Sequence, residues 1–257
     1  MNEVIISAIN SLRNDYENGS TTIAKNAIDI FTNVVNSYSY DIDKIRVIAN
    51  NIISTKPDMA ALRNIILLCL DKLEYMQKPY NFDNEAKDIK FLMDTNTNNV
   101  INNAINIIIK LLPTELSIIT TSYSSTVIKL FIELKKRDHS IRVYALESIW
   151  KERSYADFII NSCKQEGIES YHIKKDELVS NINHFDFAVI GADSFFDDGS
   201  VINGIQSLFL AENCYGKIRF FVLAESFKNS TTPISTINNI ADGFDFIPER
   251  LITEVIN

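Results

Sequence analysis

The stretch FDFAVIGADSFFDDGSVIN, residues 185–203, decides the fold. Its first six residues, Phe185 to Ile190, are apolar apart from Asp186 and stop at a glycine. A run this short, closed by Gly191, reads as a buried strand. Four comparable runs flank it, at Leu116–Thr121, Ile141–Leu146, Ser170–Ile173 and Arg219–Ala224. Helical patterns separate them at Ser125–Lys136, Ala156–Glu166 and Asn203–Tyr215. Strands alternating with helices imply βαβ units and a parallel sheet, and right-handed crossovers put helices on both of its faces.

Upstream the period is different. Val4, Ile5, Ala8, Ile9 and Leu12 follow the i, i+3, i+4 spacing of a buried helical stripe. Ser20 and Thr21 are suited to cap a second helix through Ala24, Ala27, Ile28, Phe31, Val34 and Val35. A third helix is expected over 41–54, ended by Lys56-Pro57 because the residue before proline avoids the α region. Asp58 opens a fourth, over 59–77, and a long fifth covers 84–112, with breaks at Lys78-Pro79-Tyr80 and Pro113. The expected organisation is therefore a helical domain over 1–112 and an α/β domain over 113–257.

Composition removes several function classes. Only seven glycines occur in 257 residues, six of them beyond residue 166, and no segment reads GxGxxG or GxxxxGK[ST]. Dinucleotide-type and P-loop phosphate cradles are thus absent. The net charge of −8 is spread over both halves, which excludes a basic nucleic-acid footprint. Cys69, Cys163 and Cys214 show no CxxC spacing, so neither a disulfide framework nor a metal site is indicated. They read as small buried hydrophobes. The N-terminal stretch is acidic and amphipathic, unlike a signal peptide, and the longest apolar run, INIIIKLL, is too short to span a membrane. A cytoplasmic protein with no bound cofactor is expected.

Ligands of open parallel sheets bind beyond the carboxyl ends of the strands. The residues there are Ser122-Tyr123-Ser124, Glu147-Ser148, Gly191-Ala192-Asp193 and Glu225-Ser226-Phe227-Lys228. Serines and acids in such places also cap the next helix. Asp193 is the exception, lying too far ahead of the helix expected at Asn203. His139 and His184 precede strands and belong at the opposite edge. Ser122 therefore has no base, and an unassisted hydroxyl is a poor nucleophile near neutral pH.

At these strand ends the sequence resembles the translation initiation factor 2B superfamily, which holds the regulatory α, β and δ subunits and two sugar-phosphate isomerases. The segments that carry the likeness are Ser122 to Val127, Glu147-Ser148, GADSFFDDGSVIN (Gly191 to Asn203), FFVLAESFK (Phe220 to Lys228) and FDFIPERLITEVI (Phe244 to Ile256). GSTTIAKNA (Gly19 to Ala27) and KPDMAALRN (Lys56 to Asn64) extend it through the helical half, and AESFK is nearest to the α subunit.

The resemblance implies a helical N-terminal domain on a Rossmann-like α/β domain, a sugar-phosphate pocket between them, and a homodimer. In the isomerases a cysteine and the aspartate of GAD move protons between aldose and ketose, and an asparagine-lysine pair binds substrate. Here Asp193 and Asn203 are present, while Ser122 stands at the cysteine position and Gly204 at the lysine position. Ile149-Trp150 and Lys56-Pro57 replace two arginine-prolines. A thiol can be tuned into a proton carrier, a serine cannot without a base, and loss of a general acid or base typically costs about 10²–10⁴ in rate. Lys56, Arg63, Lys228 and helix N-termini are left to hold phosphate.

The leading expectation is thus a non-catalytic regulatory or assembly subunit. It would take a phosphorylated sugar or nucleotide through Ser122, Tyr123, Ser124, Glu147, Gly191, Asp193, Asn203, Lys228 and Lys56, and would contact a translation-factor partner. The alternative is a divergent aldose-ketose isomerase with Asp193 and Ser122 catalytic. A third reading is a scaffold whose pocket is filled by Trp150, Phe195 and Phe196.

Overall fold

Apolar residues three and four apart coil the first part of the chain into helices that bury one stripe each. The computed structural model describes residues 2–39, 41–75, 82–111, 114–231 and 240–257. They form two compact units, Met1–Asn96 and Thr97–Asn257, which divide inside one long helix. The first unit holds α1 (Glu3–Arg13), α2 (Ser20–Ser37), α3 (Ile42–Ile53), α4 (Ala60–Tyr75) and the start of α5 (Phe82–Leu111). Asn2 and Asp41 cap α1 and α3 by accepting the amides of Val4 and Lys44. The cap of α2 is Gly19, with no side-chain bond; Ser20 and Thr21, expected as caps, are the first helical residues and are buried. Their small side chains fit where a helix is covered from its first turn. The core of the unit centres on α2, where Ile23, Ile28, Phe31, Val34 and Val35 are wholly buried and the Phe31 and Phe82 rings meet at 5.2 Å. The breaks expected at residues 78–80 and Pro113 lie outside the described residues.

In the second unit a six-stranded parallel sheet contains β1 (Glu115–Thr120), β2 (Ser140–Leu146), β5 (Glu169–Ile173), β6 (Phe187–Gly191), β9 (Arg219–Leu223) and β11 (Glu254–Ile256). Its spatial order is β5-β2-β1-β6-β9-β11, the Rossmann-like order in which the chain leaves the centre in one direction and then in the other. Alternate strand residues serve two cores. Ile118, Val143, Phe187, Val189 and Phe221 face one side, with α6 (Ser125–Lys136), α7 (Tyr155–Gln165) and the later residues of α5. Ile119, Ala188, Ile190, Phe220 and Val222 face the other, with α8 (Lys175–Asn181) and α9 (Ser207–Cys214). All three cysteines are buried and unpaired.

Two features depart from expectation. The helix expected from Asn203 begins only at Ser207; Val201–Gly204 is a strand, β8, paired antiparallel with β10 (Phe244–Ile247) and with β7 (Ser194–Phe195). The β-branched pair Val201-Ile202 suits a strand, and the turn that returns the chain from β7 has Gly199 at φ 86°, the left-handed position of a three-residue hairpin loop. Ile205 and Leu208 continue a helical spacing across this boundary, which conceals it in the sequence. The sixth sheet strand, β11, was not expected either, being three residues long.

Candidate ligand site at the strand ends

The strand order reverses between β1 and β6, so a crevice is expected where their carboxyl ends meet. The residues there touch. Ser124 caps α6 by accepting the Val127 amide, and its Oγ lies only 2.5 Å from where a Cβ on Gly191 would stand. Gly191 is therefore required by the neighbouring cap. Two residues on, the Asp193 amide donates to the Ile202 carbonyl at 2.9 Å. This ties the buried Asp193 to β8. Asn203, also buried, donates from Nδ2 to Ser207 Oγ at 2.9 Å, and Ser207 donates to the Gly204 carbonyl at 2.7 Å.

Ser122 and Gly204 form the tightest pair of the site. Ser122 is half-buried with φ 57°, a left-handed conformation that costs a non-glycine residue about 1–2 kcal/mol. A Cβ on Gly204 would stand 2.2 Å from Ser122 Oγ and 3.1 Å from its Cβ. Any side chain at 204, a lysine included, would require the Ser122 hydroxyl to turn away and its Cβ to shift. Next to Ser122, the half-buried Tyr123 packs its ring on Phe158 of α7 at 6.2 Å. Thr120 and Thr121 at the end of β1, and Ser148 after β2, are buried with hydroxyls that have no hydrogen-bond partner among the described residues. Buried unpaired hydroxyls are costly, so three of them at one sheet edge favour a polar occupant.

The fifth strand end holds a buried ion pair. Lys228 Nζ lies 2.7 Å from Glu225 Oε2, with side-chain exposures of 3% and 0%. Glu225 Oε1 also accepts the hydroxyls of Thr97 on α5, at 3.0 Å, and Thr126 on α6, at 2.7 Å. Burial alone would raise the Glu225 pKa. The Lys228 charge, with hydrogen bonds from Lys228 and Thr126, outweighs it and holds the carboxyl down at about 2. Glu225 thereby joins α5, α6 and the short turn Ser226–Lys228.

The expected site residues thus separate. Ser124 meets Gly191, Asp193 is bonded to β8, which carries Asn203, and Ser122 packs on Gly204, where the resemblance places a lysine. Glu147 is exposed. Lys228 has its charge matched by Glu225, and Lys56 belongs to the first unit, where its amine donates to the Asp15 carbonyl at 2.8 Å and lies 4.0 Å from the Tyr16 ring centre. Phe195 and Phe196 are buried, Phe195 within the core that includes Val201 and Ile247. Sequence reasoning missed Glu225 as a structural centre, although the spacing of an acid and a lysine three residues apart in AESFK offered a clue. It also missed Asp245, whose carboxylate accepts the Leu208 amide at 3.1 Å across the start of α9; burial raises its pKa despite that bond. No cluster of three His, Cys, Asp or Glu suited to a metal occurs among the described residues, and none of their helices is long and apolar enough to cross a membrane.

This geometry can now be set beside known proteins. Over 240 residues, 87% of this chain and 79% of the relative, it is 24% identical to a putative translation initiation factor eIF-2B subunit 2-like protein of Pyrococcus abyssi. The homonymous protein of Pyrococcus furiosus is 31% identical over 112 residues, 43% of this chain and 40% of that protein. Among solved structures, the translation initiation factor eIF-2B of Pyrococcus horikoshii OT3 matches with a TM-score of 0.84 at 21% identity, covering 100% of this chain and 95% of that one. A chain of the tetrameric eIF2B-beta2-delta2 complex from C. thermophilum matches with a TM-score of 0.76 at 16% identity, covering 100% and 91%. With residues 16–243 matched by the model of the initiation factor 2 subunit family, the chain belongs to that family of translation initiation factor 2B-like proteins.

Proposed function

We propose that this chain is a non-catalytic regulatory or assembly subunit of the initiation factor 2B type, self-associating as a homodimer in the cytoplasm. In this reading its α/β part, residues 113–257, holds a phosphorylated sugar or nucleotide at the carboxyl ends of β1, β2 and β6. The observation that carries the proposal is the packing of Ser122 against Gly204. It leaves no thiol to carry a proton and crowds a lysine at 204, and His139 and His184, which precede β2 and β6, stand at the opposite edge from Ser122. The buried hydroxyls of Thr120, Thr121 and Ser148 support ligand binding. With Lys228 matched by Glu225, phosphate binding falls to the first-turn amides of α6, a helix N-terminus favourable to anions. The assembly role is supported by the tetrameric complex in which a structural neighbour occurs.

The test combines light scattering with calorimetry. The expected result is a dimer at micromolar concentration that binds ribose-1,5-bisphosphate, 5-methylthioribose-1-phosphate or a nucleoside monophosphate and leaves it unchanged by NMR. A monomer that binds none of the three overturns the proposal. So does turnover that Asp193→Asn abolishes, which makes the chain an isomerase.

A further inference from the structure

Between β2 and α7 the chain makes a small hairpin, β3 (Ile149–Trp150) and β4 (Arg153–Ser154), with pairs Ile149↔Ser154 and Trp150↔Arg153. Its two-residue turn is Lys151-Glu152, and both residues have positive φ, 47° and 63°. That is the sign pattern of a type I′ turn, normally filled by Asn-Gly. Two non-glycine residues held there are strained, and a two-stranded hairpin is at best marginally stable in water. Something else must hold it.

The ring of Trp150 supplies that hold. Trp150 is half-buried, and three atoms of its indole lie 2.8, 2.8 and 3.2 Å from where a Cβ on Gly243 would stand. Gly243 has φ 96°, so it is a glycine both by conformation and by space. The seat is linked to the site. The Gly243 carbonyl accepts the Ile205 amide at 3.0 Å and lies 4.0 Å from the missing Cβ of Gly204, the residue against which Ser122 packs.

We infer that the Trp150 hairpin is a strained latch on the strand-end site, closed by the indole on Gly243 and opened by relaxation of the Lys151-Glu152 turn. Closed, it joins the end of β2 to the start of β10 beside Ser122 and Gly204. Opening releases the turn strain and frees that edge. The latch's role as a gate rests on the ligand reading proposed above, but its existence does not, so it is tested on the ligand-free protein.

Trp150 is the sole tryptophan, so intrinsic fluorescence and acrylamide quenching report the latch directly. Replacing the turn by Asn-Gly (Lys151→Asn with Glu152→Gly) removes the cost of the left-handed conformations. The ratio of open to closed latch falls about tenfold or more, with bluer emission and weaker quenching. Gly243→Ala puts a methyl in the ring's place, giving redder emission and stronger quenching with unchanged far-ultraviolet circular dichroism. Unchanged quenching in the Asn-Gly variant overturns the inference, whether or not Gly243→Ala folds. Emission unchanged in a folded Gly243→Ala also overturns it. Failure of phosphorylated ligands to bind would refute the ligand reading and leave these results standing.

Discussion

Replacing Lys228 by methionine leaves Glu225 as a buried carboxylate without its cation. The perturbation is confined because Lys228 is enclosed and Met has a similar reach. Breaking a buried pair from one side typically costs about 3–5 kcal/mol. The depressed titration of Glu225 points to the same order: its carboxyl is held at about 2 against an ordinary 4.5, worth about 3 kcal/mol at about 1.4 kcal/mol per pH unit. The sign follows from the direction. A depressed carboxyl contributes stability that is complete above pH 4.5 and is lost as pH falls toward 2. Without Lys228, burial raises the Glu225 pKa instead, and acidification lets the group become neutral. The variant's penalty should therefore be largest near neutral pH and shrink as pH falls through the raised Glu225 value. Urea unfolding followed by Trp150 fluorescence reads this unit, since Trp150 lies within it. Adding Glu225→Gln should restore most of the loss, because the amide oxygen can still accept from Thr97 and Thr126. A penalty under about 1 kcal/mol at neutral pH, the level of an exposed pair, refutes the reasoning. So does a penalty independent of pH, or additivity in the double variant.

Gly204→Lys, which restores the isomerase pattern at that position, should cost about 1–3 kcal/mol by overpacking; Ser122→Gly in the same chain should recover most of it in a thermal melt. Asp245→Asn keeps an acceptor for the Leu208 amide and removes a carboxylate whose pKa burial raises above 3.8. A raised folded value makes the ionised form unfavourable, so the variant should melt higher than the parent at neutral pH, and the gap should close as pH falls from the raised folded value to 3.8. Burial pushes the thiols of Cys69, Cys163 and Cys214 up to about 12. A thiol-disulfide reagent near pH 8 should therefore find no reactive thiol in the native protein and three after denaturation.

The layered architecture is legible in the sequence because burial imposes a period. Five helical stripes and five apolar runs each repeat one spacing long enough to be recognised, and α6 is observed with the bounds that its pattern implies, Ser125–Lys136. The antiparallel layer of β7, β8 and β10 is not legible in the same way. Its strands are two to four residues long, too short for alternation to establish itself, and β8 finds its longest partner forty residues later in β10. Strand pairing at that separation is a tertiary fact. Local spacing from Asn203 onward favours a helix, and the pairing overrides it through Gly204.

At the site, chemistry was legible by residue type and position, whereas occupancy was not. The strand-end rule located Ser122, Asp193 and Lys228 on one edge, and the resemblance added Asn203, but neither could say that Lys228 spends its charge on Glu225, since that depends on both side chains being enclosed. The departures from the isomerase pattern show the same dependence on contact. Ser122 and Gly204 look like two separate losses in the sequence; in space the glycine is what admits the left-handed serine. Trp150 likewise lies on Gly243. In both pairs a side chain added at the glycine alone would overlap its neighbour. A lysine at 204 would have to enter where Ser122 Oγ already lies. Ser122 and Gly204 are therefore best read together, since the left-handed backbone of the serine and the missing side chain at 204 meet in one contact.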